Sequence, residues 1–181
     1  MADRSNTKPE HKDTWRTPYE IFHALNSEFC FVMDAAASVT NSLCTHFITE
    51  VQDTLTTPWN EVMPNYPGYA WLNPPYSNPL PFVQKAAKEN KLHGTGCVML
   101  LPADTSVGWF KEAIATANEV RFITGGRLAF ISANTEKPVS GNNKGSMLII
   151  WHPWPRTHCQ YSTIDRDTLM VYGKKRMRRV A

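Results

Sequence analysis

The 181-residue sequence is 42% hydrophobic and 11% aromatic, which is enough for one sizeable core and too little for two ordinary domains. Its formal net charge is +3, and the basic run of residues 174–179 alone exceeds this, so positive charge is concentrated at one end. The four cysteines form no CxxC pair, and no apolar run reaches the roughly 18 residues of a membrane span, so we expect no zinc site, no disulfide framework and no membrane segment.

The first half of the chain is predicted to contain a flexible arm, a helix and a buried strand. Residues 1–14 are polar and form the arm. Thr17 can cap a helix that has Pro18 at its first position and runs to about Leu25. The apolar run from Phe29 to Met33 predicts a buried strand that ends at Asp34 and so delivers a carboxylate at its carboxyl end.

The second half alternates strands and helices. The stretches "YAWL", "CVMLLPA", "EVRFIT" and "SMLIIW" are predicted strands. A helix beginning at Pro81 follows the first, and a helix capped by Asp104 or Thr105 follows the second. A polar loop near residues 127–145 joins the last two strands. The order predicts one α/β domain at residues 15–172, with a mostly parallel sheet and an antiparallel last strand, followed by a basic tail at 173–181.

The loop "NPPYSNP" places chemistry at the end of a strand. Ligands of open α/β sheets lie outside the carboxyl ends of the strands, so Asp34 and Asn73 should face one crevice. The Asn73 amide oxygen and the Pro74 carbonyl can accept hydrogen bonds from one amino group, and Tyr76 offers a ring for stacking. The motif therefore fits a planar amine that acts as a nucleophile. The plainer interpretation is a stiff strand-to-helix turn, with Asp34 as a helix cap or ion-pair partner.

Several spaced motifs together resemble a known family. The set "TPYEIF", "FVMDAAAS", "DTLTTPW", "AWLNPPY", "VMLLPA", "RFITGGRLAF" and "SMLIIW" is similar to the phage-encoded Dam-type DNA N6-adenine methyltransferases. The resemblance implies S-adenosylmethionine as cofactor, double-stranded DNA as partner, and direct methyl transfer to a flipped adenine, with GATC as the target. It also implies a cytoplasmic location in a bacterial host cell, no metal, and a monomer or weak homodimer.

The resemblance assigns roles to individual residues. Asn73, Pro74 and Tyr76 would hold the adenine, and Phe130 would be a second aromatic against the flipped base. The cofactor site would comprise Thr17, Pro18, Asp34, Ala35, Ala36, Asp53 and Asn73. Apart from Phe130, the predicted DNA contacts come from side-chain chemistry and charge: Arg127, Asn142, Asn143 and Lys144 in the loop can reach base edges or phosphates, and Lys174, Lys175 and Arg176 in the tail suit a phosphate backbone. Loops of such composition are also simply mobile, and a basic tail can be merely solubilising.

The sequence departs from the wider pattern of methyltransferases in two respects. An FxGxG motif does not follow the first strand. The interval from Asp34 to Asn73 is little longer than one βαβ unit of roughly 30 residues, so the resemblance implies a shortened Rossmann-like class I methyltransferase fold and leaves the roles of Glu50 and Asp53 open. Two alternatives remain: a protein glutamine methyltransferase, whose family usually has a long recognition domain, and a non-enzymatic DNA-binding module.

Overall fold

The computed structural model describes residue 13 and residues 15–63, 68–139, 143–155 and 157–180. In chain order the elements are β1 (Trp15–Arg16), α1 (Tyr19–Phe29), β2 (Phe31–Ala37), β3 (Phe47–Thr49), α2 (Trp59–Val62), β4 (Tyr69–Leu72), α3 (Leu80–His93), β5 (Gly96–Pro102), α4 (Gly108–Thr116), β6 (Glu119–Thr124), β7 (Phe130–Ser132), β8 (Pro138–Val139), β9 (Ser146–Trp151), β10 (Gln160–Asp165) and α5 (Arg166–Val180). Asn142 lies outside the described residues.

Seven strands form the main sheet, in the order β10-β6-β9-β5-β4-β2-β3. Strand β9 runs antiparallel to both of its neighbours, and the remaining pairs are parallel. The predicted mostly parallel α/β sheet is confirmed, as is the antiparallel direction of β9. The prediction that this strand is the last one is wrong, because β10 follows it and pairs in parallel with β6 at the edge. Its polar, mostly exposed sequence gave no apolar run to detect.

The core occupies both faces of this sheet. Alternate residues of β5 and β9 point to opposite sides, so Met99 and Ile149 pack in one cluster and Leu100 and Ile150 in the other. Helices α3 and α4 cover the first face, and α1 covers the second. The two strands therefore read as continuous hydrophobic runs, as expected for strands buried on both faces.

Helix α1 and strand β2 differ from the predicted boundaries. The helix continues to Phe29 and ends where Cys30 adopts a left-handed conformation and donates its N–H to the Asn26 carbonyl. Strand β2 then runs through Asp34 rather than ending there. Its pairing with β4 reaches Asp34, opposite Trp71, and it continues along β3 alone.

Neither predicted helix cap is present. Pro18 occupies the cap position of α1, and its carbonyl accepts the N–H groups of Ile21 and Phe22, so Thr17 lies outside the helix. Helix α4 begins at Gly108 without a side-chain cap. Asp104 instead closes a turn ahead of the helix, where it accepts the Ser106 N–H at 3.0 Å.

The segment predicted to be a polar loop contains a hairpin. Strands β7 and β8 pair with each other, and β7 also pairs with β1, which gives a small three-stranded antiparallel sheet. The β7 part of this segment is therefore tied to β1. The basic residues 174–178 belong to α5, which packs on α1. Among the described residues, no helix combines the length and apolar character needed to cross a bilayer.

Candidate active site

A cavity of about 970 Å³ opens at the carboxyl edge of β2, β3 and β4. Six of the predicted site residues line it: Thr17, Asp34, Ala35, Ala36, Asp53 and Asn73. The prediction that Asp34 and Asn73 face one crevice is therefore correct. Pro18, Pro74 and Tyr76 do not line the cavity, although Pro75 does. Within the described part of the chain, His, Cys, Asp and Glu form no group of three able to hold a metal ion.

Asp34 places an acidic group in the wall of this cavity. Its side chain is 3% exposed, and its carboxylate accepts the Leu43 N–H at 3.1 Å and the Ala36 N–H at 3.4 Å. Burial raises the pKa of Asp34 to about 6, against the lowering effect of these two backbone bonds. An ionised Asp34 is thus poorly solvated, and a cationic or hydroxyl-bearing ligand would be favoured beside it.

Asn73 follows β4 directly, and a contact with the N-terminal strand orients its amide. The Nδ2 group donates to the Trp15 carbonyl at 3.2 Å, which makes Oδ1 the free acceptor. Oδ1 is buried and has no hydrogen-bond partner among the described residues. Leaving a buried acceptor unpaired costs free energy, so the site has an unmet requirement for a donor.

The rest of the NPPY loop packs into the protein. Pro74 is buried, and the Tyr76 hydroxyl is buried without a partner in the described structure. Burial also raises the pKa of the Tyr76 phenol, so this group is neutral. The Phe130 ring lies edge-on to Tyr76, with centroids 6.0 Å apart.

Phe130 is buried in the free protein. The side chain is 3% exposed and belongs to the hydrophobic cluster on the α1 side of the sheet. Because β7 is held against β1, the ring points into this cluster rather than into open space. Its contact is with Tyr76, so direct contact of Phe130 with a base would require the ring to be uncovered.

The segment of residues 49–57 contributes five residues to one wall of the cavity: Thr49, Glu50, Val51, Asp53 and Thr54. Asp53 has a left-handed backbone (φ 56°), and its Oδ1 accepts the Leu55 N–H at 3.0 Å. Asp53 is therefore both a turn residue and part of the wall, and the neighbouring Glu50 also lines the cavity. Thr54 is held by Trp59, which does not line the cavity and whose indole N–H donates to the Thr54 hydroxyl at 2.9 Å.

The residues predicted to contact DNA differ in exposure. Arg127, Lys174 and Lys175 are exposed, and Asn143 is half-buried. Lys144 forms an ion pair with Asp104, and this pair and the Ser106 bonds lower the pKa of Asp104 to about 2. Arg176 donates to the Tyr172 hydroxyl at 2.9 Å and lies over its ring.

Trp15 and Phe82 are two of the cavity residues that sequence reasoning missed. The Trp15 carbonyl holds Asn73, but a main-chain carbonyl belongs to every residue and leaves no signal in the sequence. Phe82 lines the cavity from α3, whereas its helical spacing pointed only to a core position.

Comparison with known proteins identifies the family. Residues 4–176 match the family described as DNA N-6-adenine-methyltransferase (Dam). The chain is 41% identical over 155 residues to the DNA N-6-adenine-methyltransferase of Haemophilus phage HP1, covering 84% of this chain and 86% of the relative. It is 38% identical over 161 residues to the protein of the same name from Escherichia phage T1, covering 81% of this chain and 65% of that longer protein.

The family match and the phage relatives confirm both the resemblance and the enzyme class inferred from the spaced motifs. The family match spans the residues that build the cavity and the NPPY loop. The chain belongs to the DNA N-6-adenine-methyltransferase (Dam) family.

Proposed function

We propose that this chain transfers a methyl group from S-adenosylmethionine to N6 of an adenine flipped out of double-stranded DNA. The observation that carries the proposal is the buried Oδ1 of Asn73 at the exit of β4, which has no hydrogen-bond partner in the part of the chain that the structure describes. The family match and the phage relatives support the reaction class. The basic α5 supports a polyanionic substrate.

The cavity fits the cofactor in size and in chemistry. A volume of about 970 Å³ is at the upper end of the range for small-molecule sites. Asp34 would face the methionine ammonium or the ribose, and Ala35 and Ala36 leave room for close approach. Thr17, just ahead of α1, would bind the methionine carboxylate of the cofactor. Asp53 would accept a hydrogen bond from the adenine of the cofactor. When bound, S-adenosylmethionine supplies an electrophilic methyl group on its sulfonium sulfur.

The chain's own contribution to the reaction is positioning. Asn73 Oδ1 would accept an N6–H of the target adenine, and the Pro74 carbonyl would accept the other. Two acceptors orient the amino group and favour the positive charge that develops on its nitrogen during attack. The bond from Nδ2 to the Trp15 carbonyl would keep the amide in this orientation. The neutral phenol of Tyr76 would supply a face for stacking once the base has entered.

The architecture is consistent with a shortened Rossmann-like class I methyltransferase fold. Among the described residues between β2 and Asn73, the structure has three short elements: the three-residue β3, the four-residue α2 and β4, which leads to Asn73. We propose that this compact segment replaces the longer cofactor half of larger relatives. We also propose GATC as the target, for which the support is the family resemblance.

The test is methyl transfer by Asn73→Ala, with Asn78→Ala as the control. Asn78 is an exposed amide in the same loop that does not line the cavity. Tritium transfer from labelled S-adenosylmethionine would be followed into a GATC duplex, a scrambled duplex, RNA and protein. S-adenosylhomocysteine binding would be measured by calorimetry.

We expect Asn73→Ala to lose about 10²-fold or more in methyl transfer while binding of S-adenosylhomocysteine changes little. Asn78→Ala should behave like the unsubstituted chain. Full activity of Asn73→Ala would refute the proposal. Label in protein instead of DNA would favour glutamine methylation, and DNA binding without any S-adenosylhomocysteine binding would favour a non-enzymatic module.

A further inference from the structure

We propose that Lys85, a buried cation on α3, is a positioning residue that holds the end of the segment 49–57, and so keeps in place the residues of this segment that line the cofactor-binding wall of the cavity. This inference rests on the proposed function, because it assigns that wall to S-adenosylmethionine. It adds a residue that lies outside the cavity and that no motif in the sequence indicates.

The contacts of Lys85 are short and enclosed. Its side chain is 7% exposed, and Nζ donates to the Thr57 carbonyl at 2.8 Å. The same nitrogen pairs with Glu89 Oε1 at 2.6 Å, one turn further along α3, where the Glu89 side chain is 4% exposed. The ammonium also lies 5.9 Å from the centre of the Trp59 ring. A buried ammonium needs such partners, since its desolvation is otherwise very unfavourable.

The Thr57 carbonyl is the last one before Pro58, at the end of the wall segment. The segment is closed by its own turn, in which the Thr57 N–H donates to the Asp53 carbonyl at 2.9 Å. The Thr57 hydroxyl donates to the Gln52 carbonyl at 2.7 Å. Lys85 thus binds Thr57, whose own hydrogen bonds reach back to Gln52 and Asp53, and Asp53 lines the cavity.

Helix α3 links this wall to the catalytic loop. It begins at Leu80, four residues after Tyr76, and Phe82 in its first turn lines the cavity. Lys85 follows Phe82 by three positions, so the two lie on neighbouring turns of one helix face. Helix α3 therefore connects three features: the end of the loop that contains Asn73, the cavity residue Phe82, and Lys85, which binds the Thr57 carbonyl.

Replacing Lys85 by an apolar residue should affect the segment 49–57 more than the packing of α3. An apolar side chain of the same length would fill the space but leave the Thr57 carbonyl without a donor. The wall segment would then lose its fixed end, while α3 would stay packed through Val83 and Ala86, which lie in the core. The expected defect is in the wall rather than in the fold as a whole.

The experiment compares three variants of the full chain. Lys85→Met/Glu89→Gln removes the anchor without stranding a buried carboxylate. Glu89→Gln alone keeps the Lys85 bond to Thr57. Lys88→Met is the matched control, because it removes a lysine from an exposed position of the same helix. Affinity for S-adenosylhomocysteine would be measured by calorimetry, amide exchange of residues 53–57 by mass spectrometry, and stability by urea unfolding.

The double variant should bind S-adenosylhomocysteine about tenfold more weakly, the effect of removing one charged hydrogen bond, and its amides at 53–57 should exchange faster. Lys88→Met should keep both properties. Glu89→Gln removes the carboxylate beside the buried ammonium and should lower the urea stability, but it keeps the Thr57 bond and should therefore keep slow exchange at 53–57. A double variant with unchanged exchange and affinity would overturn the positioning role. Unchanged exchange with an affinity loss shared by Lys88→Met would overturn it too. If the unsubstituted chain does not bind S-adenosylhomocysteine, the proposed function is refuted. The amide exchange of residues 53–57 would still show whether Lys85 holds this segment.

Discussion

Asp34 and Asn73 carry buried oxygens that need hydrogen-bond donors, and the described residues do not supply all of them. The Asp34 carboxyl has only two backbone donors among the described residues, at 3.1 and 3.4 Å, and Asn73 Oδ1 has no partner there. Such groups lower stability in the free protein and gain when a ligand pairs them. Their position on one cavity is consistent with a site organised for a charged cofactor and an amino group.

The raised pKa of Asp34 predicts a specific dependence of stability on pH. The pKa is about 6 in the folded chain against an ordinary value of 3.8, so the folded state binds the proton more tightly. The stability gained from protonation is fully present below the unfolded pKa and is lost as the pH rises through the folded pKa. Between pH 5 and pH 8 this loss should amount to about 1.4 kcal/mol.

Urea unfolding of the unsubstituted chain and of Asp34→Asn at both pH values would measure this loss. The asparagine variant does not titrate at this position, so the difference in unfolding free energy between the two proteins should shift by about 1.4 kcal/mol in its favour on going to pH 8. Parallel pH dependences for the two proteins would show that Asp34 is not the titrating group.

At the scale of elements, the close crossing of α5 and α1 fixes the C-terminal helix. Gly173 is buried in α5, directly against the Glu20 carbonyl in the first turn of α1. Leu169, one turn earlier, is 4% exposed and packs in the cluster that contains Ile21 and Leu25. The basic end of α5 therefore begins beside the helix start that follows Thr17 in the cavity wall.

Gly173→Ala should loosen this crossing. A Cβ at this position would overlap with the Glu20 carbonyl oxygen, which is main chain and cannot swing away. Although alanine is the better helix former by about 1 kcal/mol, we expect overpacking to dominate and to lower the unfolding free energy by about 1–3 kcal/mol.

Gly108→Ala is the matched control, because nothing lies within 4 Å of a Cβ at that helix position. It should leave stability unchanged or raise it by roughly 0.5–1 kcal/mol. Denaturant unfolding of both variants measures the contrast. Equal effects of the two substitutions would contradict the close crossing.

The strands that could be predicted from sequence are the inner strands of the main sheet, between β10 and β3. "YAWL", "EVRFIT" and "SMLIIW" coincide with β4, β6 and β9, because such strands read as apolar runs whatever their partners. Strands β1, β3, β7, β8 and β10 were missed. They are short or polar, and the pairing of β1 with β7 joins segments that are far apart in the chain, which no local pattern records.

The same distinction applies to the site. Asp34 and Asn73 were predictable because the topology of a parallel sheet brings strand ends together. The anchoring of Asn73 by the Trp15 carbonyl and of Thr57 by Lys85 was not predictable, since both depend on main-chain acceptors. The predicted cap of α4 was wrong for a related reason. The Asp104 side chain accepts the main-chain N–H of Ser106 in a turn ahead of the helix and is therefore not available to cap α4.

At the scale of the whole molecule, the basic charge lies beside the cavity rather than around it. The net charge is only +3, yet α5 carries exposed Lys174, Lys175 and Arg178. Helix α5 starts after Asp165, which pairs with Thr124 at the carboxyl edge of β6, the same edge of the sheet as the cavity. A duplex held along α5 would thus be brought to the edge at which Asn73 lies.

This arrangement predicts that α5 contributes to DNA affinity through phosphates. Replacing Lys174 and Lys175 together by Gln should weaken binding to specific and scrambled duplexes alike. The slope of log affinity against log salt should become shallower by about 0.9 for each phosphate that the variant no longer neutralises. Binding of S-adenosylhomocysteine should not change, because neither lysine lines the cavity.

Lys88→Gln/Lys91→Gln provides the charge-matched control for this measurement. These lysines are exposed beside His152, which follows the end of β9, and that end pairs with the start of β5 at the opposite edge of the sheet. Fluorescence anisotropy at several salt concentrations would give both slopes. Because the two double variants remove the same charge, a general loss of positive field would change both slopes equally, whereas a DNA contact along α5 requires that only the Lys174/Lys175 variant changes.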